Sequence, residues 1–196
     1  RYDRVAKVYD IFDNAMDMMI PEERRKELFE DLSGKVLEIG VGTGKNIMYY
    51  PETVEMTAID FSSKMLNKAK VKSAKLNKKV NLILMDAQQM DFQDNTFDYI
   101  IATCVFCSVP DPIKGFLEMK RVLKPGGKII LIEHVISENK LLGILMNIMN
   151  PITVYIYGAN INRLTEANIK AAGLDNIKVT NLWRDIVKKF VITNIK

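Results

Sequence analysis

Glu38, Gly40, Gly42, Gly44 and Asp60 are the residues of this 196-residue chain whose types and spacing first suggest chemistry. Glu38 sits in the apolar run Val36-Leu37-Glu38-Ile39, which reads as a buried strand entering a turn with glycine at every second position. Glycine permits backbone angles barred to other residues and lets a ligand approach the main chain. Asp60, twenty-two residues after Glu38, closes a second apolar run, Met56-Thr57-Ala58-Ile59. An acidic side chain at that place in an α/β fold grips the two hydroxyls of a ribose. The pattern therefore implies a ligand that carries a nucleoside.

The missing residues narrow the ligand. A dinucleotide fingerprint needs a third glycine where this chain has Lys45, and a phosphate-binding P-loop needs Ser or Thr after Gly44-Lys45, where Asn46 stands. A carboxylate at the end of the first strand repels a pyrophosphate but suits a ligand bearing an ammonium and a sulfonium. S-adenosylmethionine meets that description. Asp60-Phe61-Ser62-Ser63-Lys64-Met65-Leu66, Met85-Asp86-Ala87, Phe97-Asp98-Tyr99-Ile100-Ile101 and Leu123-Lys124-Pro125-Gly126-Gly127-Lys128 follow in order. With the glycine turn, these five motifs resemble a class I S-adenosylmethionine-dependent methyltransferase over residues 2–135. The resemblance implies that Glu38 faces the methionyl part, Gly40 and Gly42 pack against it, and Asp60 holds the ribose. Phe61, Met65, Asp86 and Ala87 then surround the adenine, Thr103 lies near the transferred methyl, and the product is S-adenosylhomocysteine.

A methyl transfer from sulfonium asks little of side chains beyond alignment, exclusion of water and removal of a proton. His134, the only histidine, follows Glu133 at the edge where such sheets do their chemistry. It is a candidate base, since an imidazole titrates near neutral pH. Asn160, Asn162 and Arg163 are further candidates for the acceptor pocket, and Arg163 would suit an anionic group such as phosphate.

Positioning these residues requires alternating strands and helices, hence a largely parallel sheet. Strands are expected near residues 35–39, 54–59, 80–84, 97–103 and 127–133. Helices are expected near 44–50, 62–78 and 112–123, with Ser62 capping the second and Pro125-Gly126-Gly127 stopping the third. Residues 177–195 alternate as two more strands. The resemblance implies a single α/β, Rossmann-like domain over 1–196. Its seven-stranded sheet is mostly parallel, with helices on both faces and a C-terminal hairpin that adds an antiparallel strand.

Two segments fall outside that core. Residues 1–31 form an expected helical lid, opening Tyr2-Asp3-Arg4-Val5-Ala6-Lys7-Val8-Tyr9-Asp10. This opening resembles methyltransferases that act on quinones and phospholipids, which implies that Tyr2 and Tyr9 line the reaction chamber. Residues 136–163 form an apolar, acceptor-side insert, methionine-rich and broken by Asn, Pro and Gly. That insert reads as a wall for a greasy acceptor, an interfacial helix or a buried one.

Composition narrows the function classes. Hydrophobic residues make up 48% of the chain and charged residues 27%, ordinary for a globular domain, and a net charge of +4 is too small to argue for nucleic acid. Cys104-Val105-Phe106-Cys107 has redox or zinc spacing but lacks a second cysteine pair, so both thiols are expected to act as small apolar groups and no metal is expected. A cytoplasmic location, peripheral on a membrane, is the expectation. The expected acceptor is small and lipophilic, with a phospholipid amine preferred over a thiol or a quinone. Residues 104–109 and 132–135 are also similar to a membrane-associated thiol S-methyltransferase family. A cofactor-binding subunit without turnover and a nicotinamide oxidoreductase are the alternatives from other classes.

Overall fold

The computed structural model describes residues 20–195. Tyr2 and Tyr9, and most of the expected lid, lie outside the described residues. Seven strands form one sheet: β1 (Lys35–Ile39), β2 (Glu55–Asp60), β3 (Asn81–Leu84), β4 (Phe97–Thr103), β5 (Leu123–His134), β6 (Ile177–Trp183) and β7 (Val187–Thr193). Their order is β3-β2-β1-β4-β5-β7-β6. All neighbours from β3 through β5 pair in parallel, and β7 runs antiparallel to both β5 and β6. The expected α/β architecture is borne out, including the antiparallel strand supplied by the last hairpin. The strand order reverses between β1 and β4, and ligands of open α/β sheets bind in the crevice beyond the strand ends at that switch point.

Helices α1 (Glu22–Lys26), α2 (Ser63–Lys75), α3 (Pro112–Val122), α4 (Lys140–Tyr157) and α5 (Thr165–Ala171) complete the fold. The Ser62 side chain accepts from the Met65 N–H at 3.4 Å and caps α2. Asp111 caps α3 in the same way through the Lys114 N–H. The helix expected near 44–50 is a 3₁₀ turn, Lys45–Tyr49, because Gly44 enters it in the left-handed region (φ 81°).

The stop of α3 also differs from expectation. The helix ends at Val122, before Pro125, and β5 begins at once. Leu123 pairs with Phe97 and Lys128 with Tyr99, so the Pro125-Gly126-Gly127 stretch bulges between the two registers. Asn194 fixes the bulge: its carbonyl accepts from the Gly126 N–H at 2.8 Å and its own N–H donates to the Gly127 carbonyl at 2.9 Å. Proline, which offers no N–H to a ladder, is tolerated at such a break.

Two apolar layers sandwich the sheet. Leu37, Ile39, Ile100, Ala102, Ile129 and Leu131 pack on one face with Phe106, Phe116, Met119 and Ile169. Val36, Ala58, Ile101 and Ile132 pack on the other with Ile47, Tyr50, Leu66, Ala69 and the N-terminal Ile20, Leu28 and Phe29. Successive strand side chains alternate between faces. Glu38, Asp60, Thr103 and His134 each stand two positions beyond a member of the second layer, so all four share its face at the carboxyl end of the sheet.

Candidate active site

The turn after β1 is built around three left-handed glycines, Gly40 (φ 69°), Gly42 (φ 55°) and Gly44 (φ 81°). They do different work. A methyl group on Gly40 would lie 2.5 Å from Val105, and one on Gly44 would lie 2.6 Å from Ile47 and 3.2 Å from the Ala69 backbone. Those two glycines let the turn pack against the protein. Beside Gly42 the nearest atom is the Gly40 carbonyl oxygen, 3.9 Å away, so this is the position where a ligand has room to meet the backbone.

Asp60, at the tip of β2, holds the turn from the other side. Its Oδ2 accepts from the Gly42 N–H and its Oδ1 from the Ser62 N–H, both at 2.8 Å. Burial pushes its carboxyl above the usual range, against those two hydrogen bonds. Each oxygen keeps acceptor capacity, which is what a ribose diol requires. Phe61 follows Asp60 with 73% of its surface exposed, an open aromatic face at the mouth of the turn.

Glu38 is buried beneath the turn, where it accepts from Asn46 Nδ2 at 2.7 Å and from the Tyr50 hydroxyl. Burial raises its carboxyl to about 7; the Asn46 hydrogen bond and the nearby Arg25 charge oppose that rise. Asn46 also donates to Thr103 Oγ1 at 3.2 Å and accepts from Arg25 at 3.2 Å. One amide thus ties the ends of β1 and β4 to α1. Neither the 3₁₀ turn that carries Asn46 and leads to Tyr50 nor the five-residue helix that carries Arg25 is long enough to leave a periodic signal in the sequence.

The segment after β3 is a tight turn. Asp86 Oδ1 accepts from the Gln88 N–H at 2.8 Å, and both its oxygens lie 3.1 Å from Gln88 Nε2. Asp86 therefore braces its own loop in the structure, with buried Ala87 and Met90 anchoring it. Helix α3 clamps that loop: Glu118 accepts from the Met90 N–H at 2.6 Å and Arg121 donates to the Met90 and Phe92 carbonyls. Met65 is buried in the first turn of α2, on the Asp60 side of the site.

The acceptor side is arranged differently. His134 ends β5 opposite Val187. Its Nδ1 is buried without a hydrogen-bond partner. Burial lowers its pKa, against the influence of the nearby Ile161 backbone. Glu133 points to the opposite face. Its Oε1 accepts from the Val105 and Phe106 N–H groups at 2.9 and 3.1 Å, while Oε2 is unpartnered. It thereby holds the loop whose Val105 packs on Gly40, and burial raises its carboxyl to about 7. A charge at the end of Ile129-Ile130-Leu131-Ile132 is the sequence signal that marked this position.

Arg163 donates from Nη2 to the Val109 carbonyl at 2.6 Å, and its Nε is buried without a partner. Asn160 donates to the Cys107 carbonyl at 3.0 Å. Cys107 is buried with its thiol pushed up to about 12 by burial, which fits the expected apolar role. Among the described residues, no group of three or more His, Cys, Asp or Glu is placed to hold a metal ion.

The residues present fit S-adenosylmethionine. Glu38 and Asp60 supply carboxylates of the kind that suit a ligand with a cationic end and a diol, and Gly42 leaves room at the backbone. Comparisons with known proteins agree. A family model described as "Methyltransferase domain" matches residues 37–131. The chain is 36% identical over 135 residues to a phosphatidylethanolamine N-methyltransferase of Cereibacter sphaeroides, covering 67% of this chain and 66% of that protein. It is 34% identical over 140 residues to a demethylmenaquinone methyltransferase of Staphylococcus aureus, covering 67% of this chain and 58% of that one. The chain thus spans about two thirds or less of the curated relatives it matches. In structure it resembles a chain of the Haloferax volcanii Trm112 methyltransferase-activator complex, with a TM-score of 0.72 at 15% identity over 97% of each chain. It also resembles phosphoethanolamine N-methyltransferase 2 of Haemonchus contortus, solved with S-adenosylmethionine, with a TM-score of 0.67 at 19% identity over 87% of this chain and 51% of that one. The glycine turn, the Asp60 grip and these likenesses together show that the chain belongs to the class I S-adenosylmethionine-dependent methyltransferases.

Proposed function

We propose that this protein methylates a small lipophilic acceptor, with a phospholipid amine of the phosphatidylethanolamine type as the first candidate. The observation that carries the reading is the shared face of Glu38, Asp60, Thr103 and His134 at the carboxyl end of the sheet. It supports a reading with the cofactor cradle on one side of the switch point and the His134 imidazole on the other.

S-adenosylmethionine, when bound, supplies the activated methyl group and its own leaving group. The chain's residues do the rest. Glu38 faces the cationic methionyl end, Gly42 offers its backbone, and Asp60 accepts from the ribose hydroxyls. Phe61, Met65 and the Asp86–Ala87 turn enclose the adenine, while Thr103, held by Asn46, borders the reacting methyl. His134 Nδ1 is the atom positioned to take a proton from an acceptor ammonium, since a nitrogen must lose that proton before it can attack. Tyr2 and Tyr9 are proposed to close the acceptor chamber.

Relatives that act on phosphatidylethanolamine and on demethylmenaquinone leave two acceptor classes in view. The amine is preferred because an ammonium needs a base and a phosphate needs a cation, and His134 and Arg163 offer both. The lipophilic acceptor also implies work at the periphery of a membrane, from the cytoplasm. S-adenosylhomocysteine production separates the classes, measured with phosphatidylethanolamine vesicles, an alkyl thiol and a demethylated quinol in parallel. Product with the amine lipid alone supports the first reading. Product with the thiol or the quinol alone replaces it.

A further inference from the structure

Helix α4 is built inside out. Gly143 and Met146 are its buried residues, and Asn147 and Asn150, at helical spacing from them, bond the segment that follows the helix. The Met146 sulfur accepts from the Ser137 N–H at 3.4 Å. Asn147 accepts from Asn162 at 2.8 Å, and Asn150 bonds Asn160 at 3.1 Å and the Ile161 N–H at 2.9 Å. The complementary stripe is apolar and faces outward: Leu141 is 81% exposed, Ile148 67% and Tyr155 90%, with Ile144, Leu145 and Ile152 also exposed. A surface helix in water normally shows the reverse arrangement. Contiguous exposed apolar surface of this kind marks an interaction site.

We propose that the outer face of α4, with the β6–β7 turn beside it, docks on an anionic lipid surface. Three observations select lipid as the occupant. First, no carboxylate occurs between Glu138 and Glu166, while Lys140 and Arg184 are exposed at the edge of the patch. Second, the acidic groups nearest the helix start are each already paired. Asp185 accepts from Ser137 Oγ and the Glu138 N–H at 2.6 and 2.7 Å, and Glu138 pairs with Lys188. Third, Trp183 is exposed at the hairpin end with the Arg184 guanidinium 5.1 Å from its ring. Tryptophan beside a cation is the side-chain pair favoured at the boundary between water and lipid. The eighteen residues of α4 extend about 27 Å, and no described helix is long and apolar enough to cross a membrane. The helix would therefore lie flat in the interface, as amphipathic helices do.

This surface deepens the lipid-acceptor reading and rests on it for its purpose. Its test is separate. The full chain is mixed with vesicles of phosphatidylglycerol and phosphatidylcholine, which contain no primary amine lipid, and binding is read by flotation. Trp183 is the only tryptophan, so its emission reports on the hairpin directly. Wild type should float with anionic vesicles, show a blue-shifted emission, and bind neutral phosphatidylcholine vesicles at least tenfold more weakly. Ile148→Glu and Tyr155→Glu, both at exposed positions, should lower vesicle binding at least tenfold with unchanged affinity for S-adenosylhomocysteine. Failure to float overturns the proposal, as does flotation unaffected by both substitutions. A concentration-dependent dimer abolished by the same substitutions would assign the face to a second copy instead. A protein that floats without methylating phosphatidylethanolamine keeps the docking face and loses the acceptor reading; one that methylates detergent-dispersed lipid without floating does the opposite.

Discussion

The two ends of the β1–β4 switch point are finished to different standards. On the cofactor side, the Glu38, Asp60 and Asp86 carboxylates each accept from at least one neighbouring donor. On the acceptor side, His134 Nδ1 and Arg163 Nε are buried with no partner. A buried polar group without a hydrogen bond costs stability. Such costs recur where function needs an unsatisfied atom, so the difference teaches that one half is a fixed cradle and the other a set of groups kept available. The apolar surface divides the same way. In the cofactor half Phe61 is the one aromatic side chain that is largely exposed among the described residues, while the acceptor half turns most of α4 toward the outside.

The strongest way to break this comparison is to remove the base. His134→Ala should lower kcat by about 10²–10⁴, the usual range for general acid–base catalysis, with S-adenosylhomocysteine affinity unchanged. Steady-state turnover beside calorimetric titration checks both halves of the expectation, and wild-type kcat in the variant would remove His134 from the reaction. The converse variant, Asp60→Ala, should weaken S-adenosylhomocysteine binding by roughly 10–100-fold, the worth of hydrogen bonds to a charged group. Circular dichroism should show the fold retained. Unchanged affinity would mean that Asp60 only braces the Gly42 turn.

Smaller effects sharpen the contrast through pH. Glu38 is raised to about 7 by burial, so its charge, and with it the attraction for a cationic methionyl group, fades as pH falls below about 7. Cofactor affinity should drop several-fold between pH 8 and pH 6 in wild type and stay flat in Glu38→Gln. Glu133 is also raised to about 7, which means the folded protein holds a proton that the unfolded chain releases near pH 4.5. Its contribution to stability is therefore fully present below about 4.5, declines as pH rises to about 7, and is constant above. Glu133→Gln, which keeps an acceptor for the Val105 and Phe106 N–H groups, should gain a few degrees of melting temperature over wild type at pH 8 and little at pH 5. An equal gain at both pH values would refute the titration.

The run of strands and helices and the glycine turn after β1 were legible in the sequence. Its information is local: glycines at alternate positions, acidic residues at strand ends and alternating apolar runs each carry their meaning within a few residues. The alternation of strands and helices and the Ser62 cap could be anticipated for that reason, whereas the hydrogen bond from the Gly42 N–H to Asp60 could not. Tertiary structure decided what depends on distant parts of the chain. Asn46 became a bridge because a 3₁₀ turn set it between β1 and β4, and Asp86 became a loop brace because Gln88 folded back on it. The apolar composition of α4 was plain in the sequence, but its orientation was not. Which stripe faces outward is fixed by Asn160 and Asn162, ten to fifteen residues away, whose hydrogen bonds turn the asparagines of α4 toward the protein and leave its hydrocarbon outside.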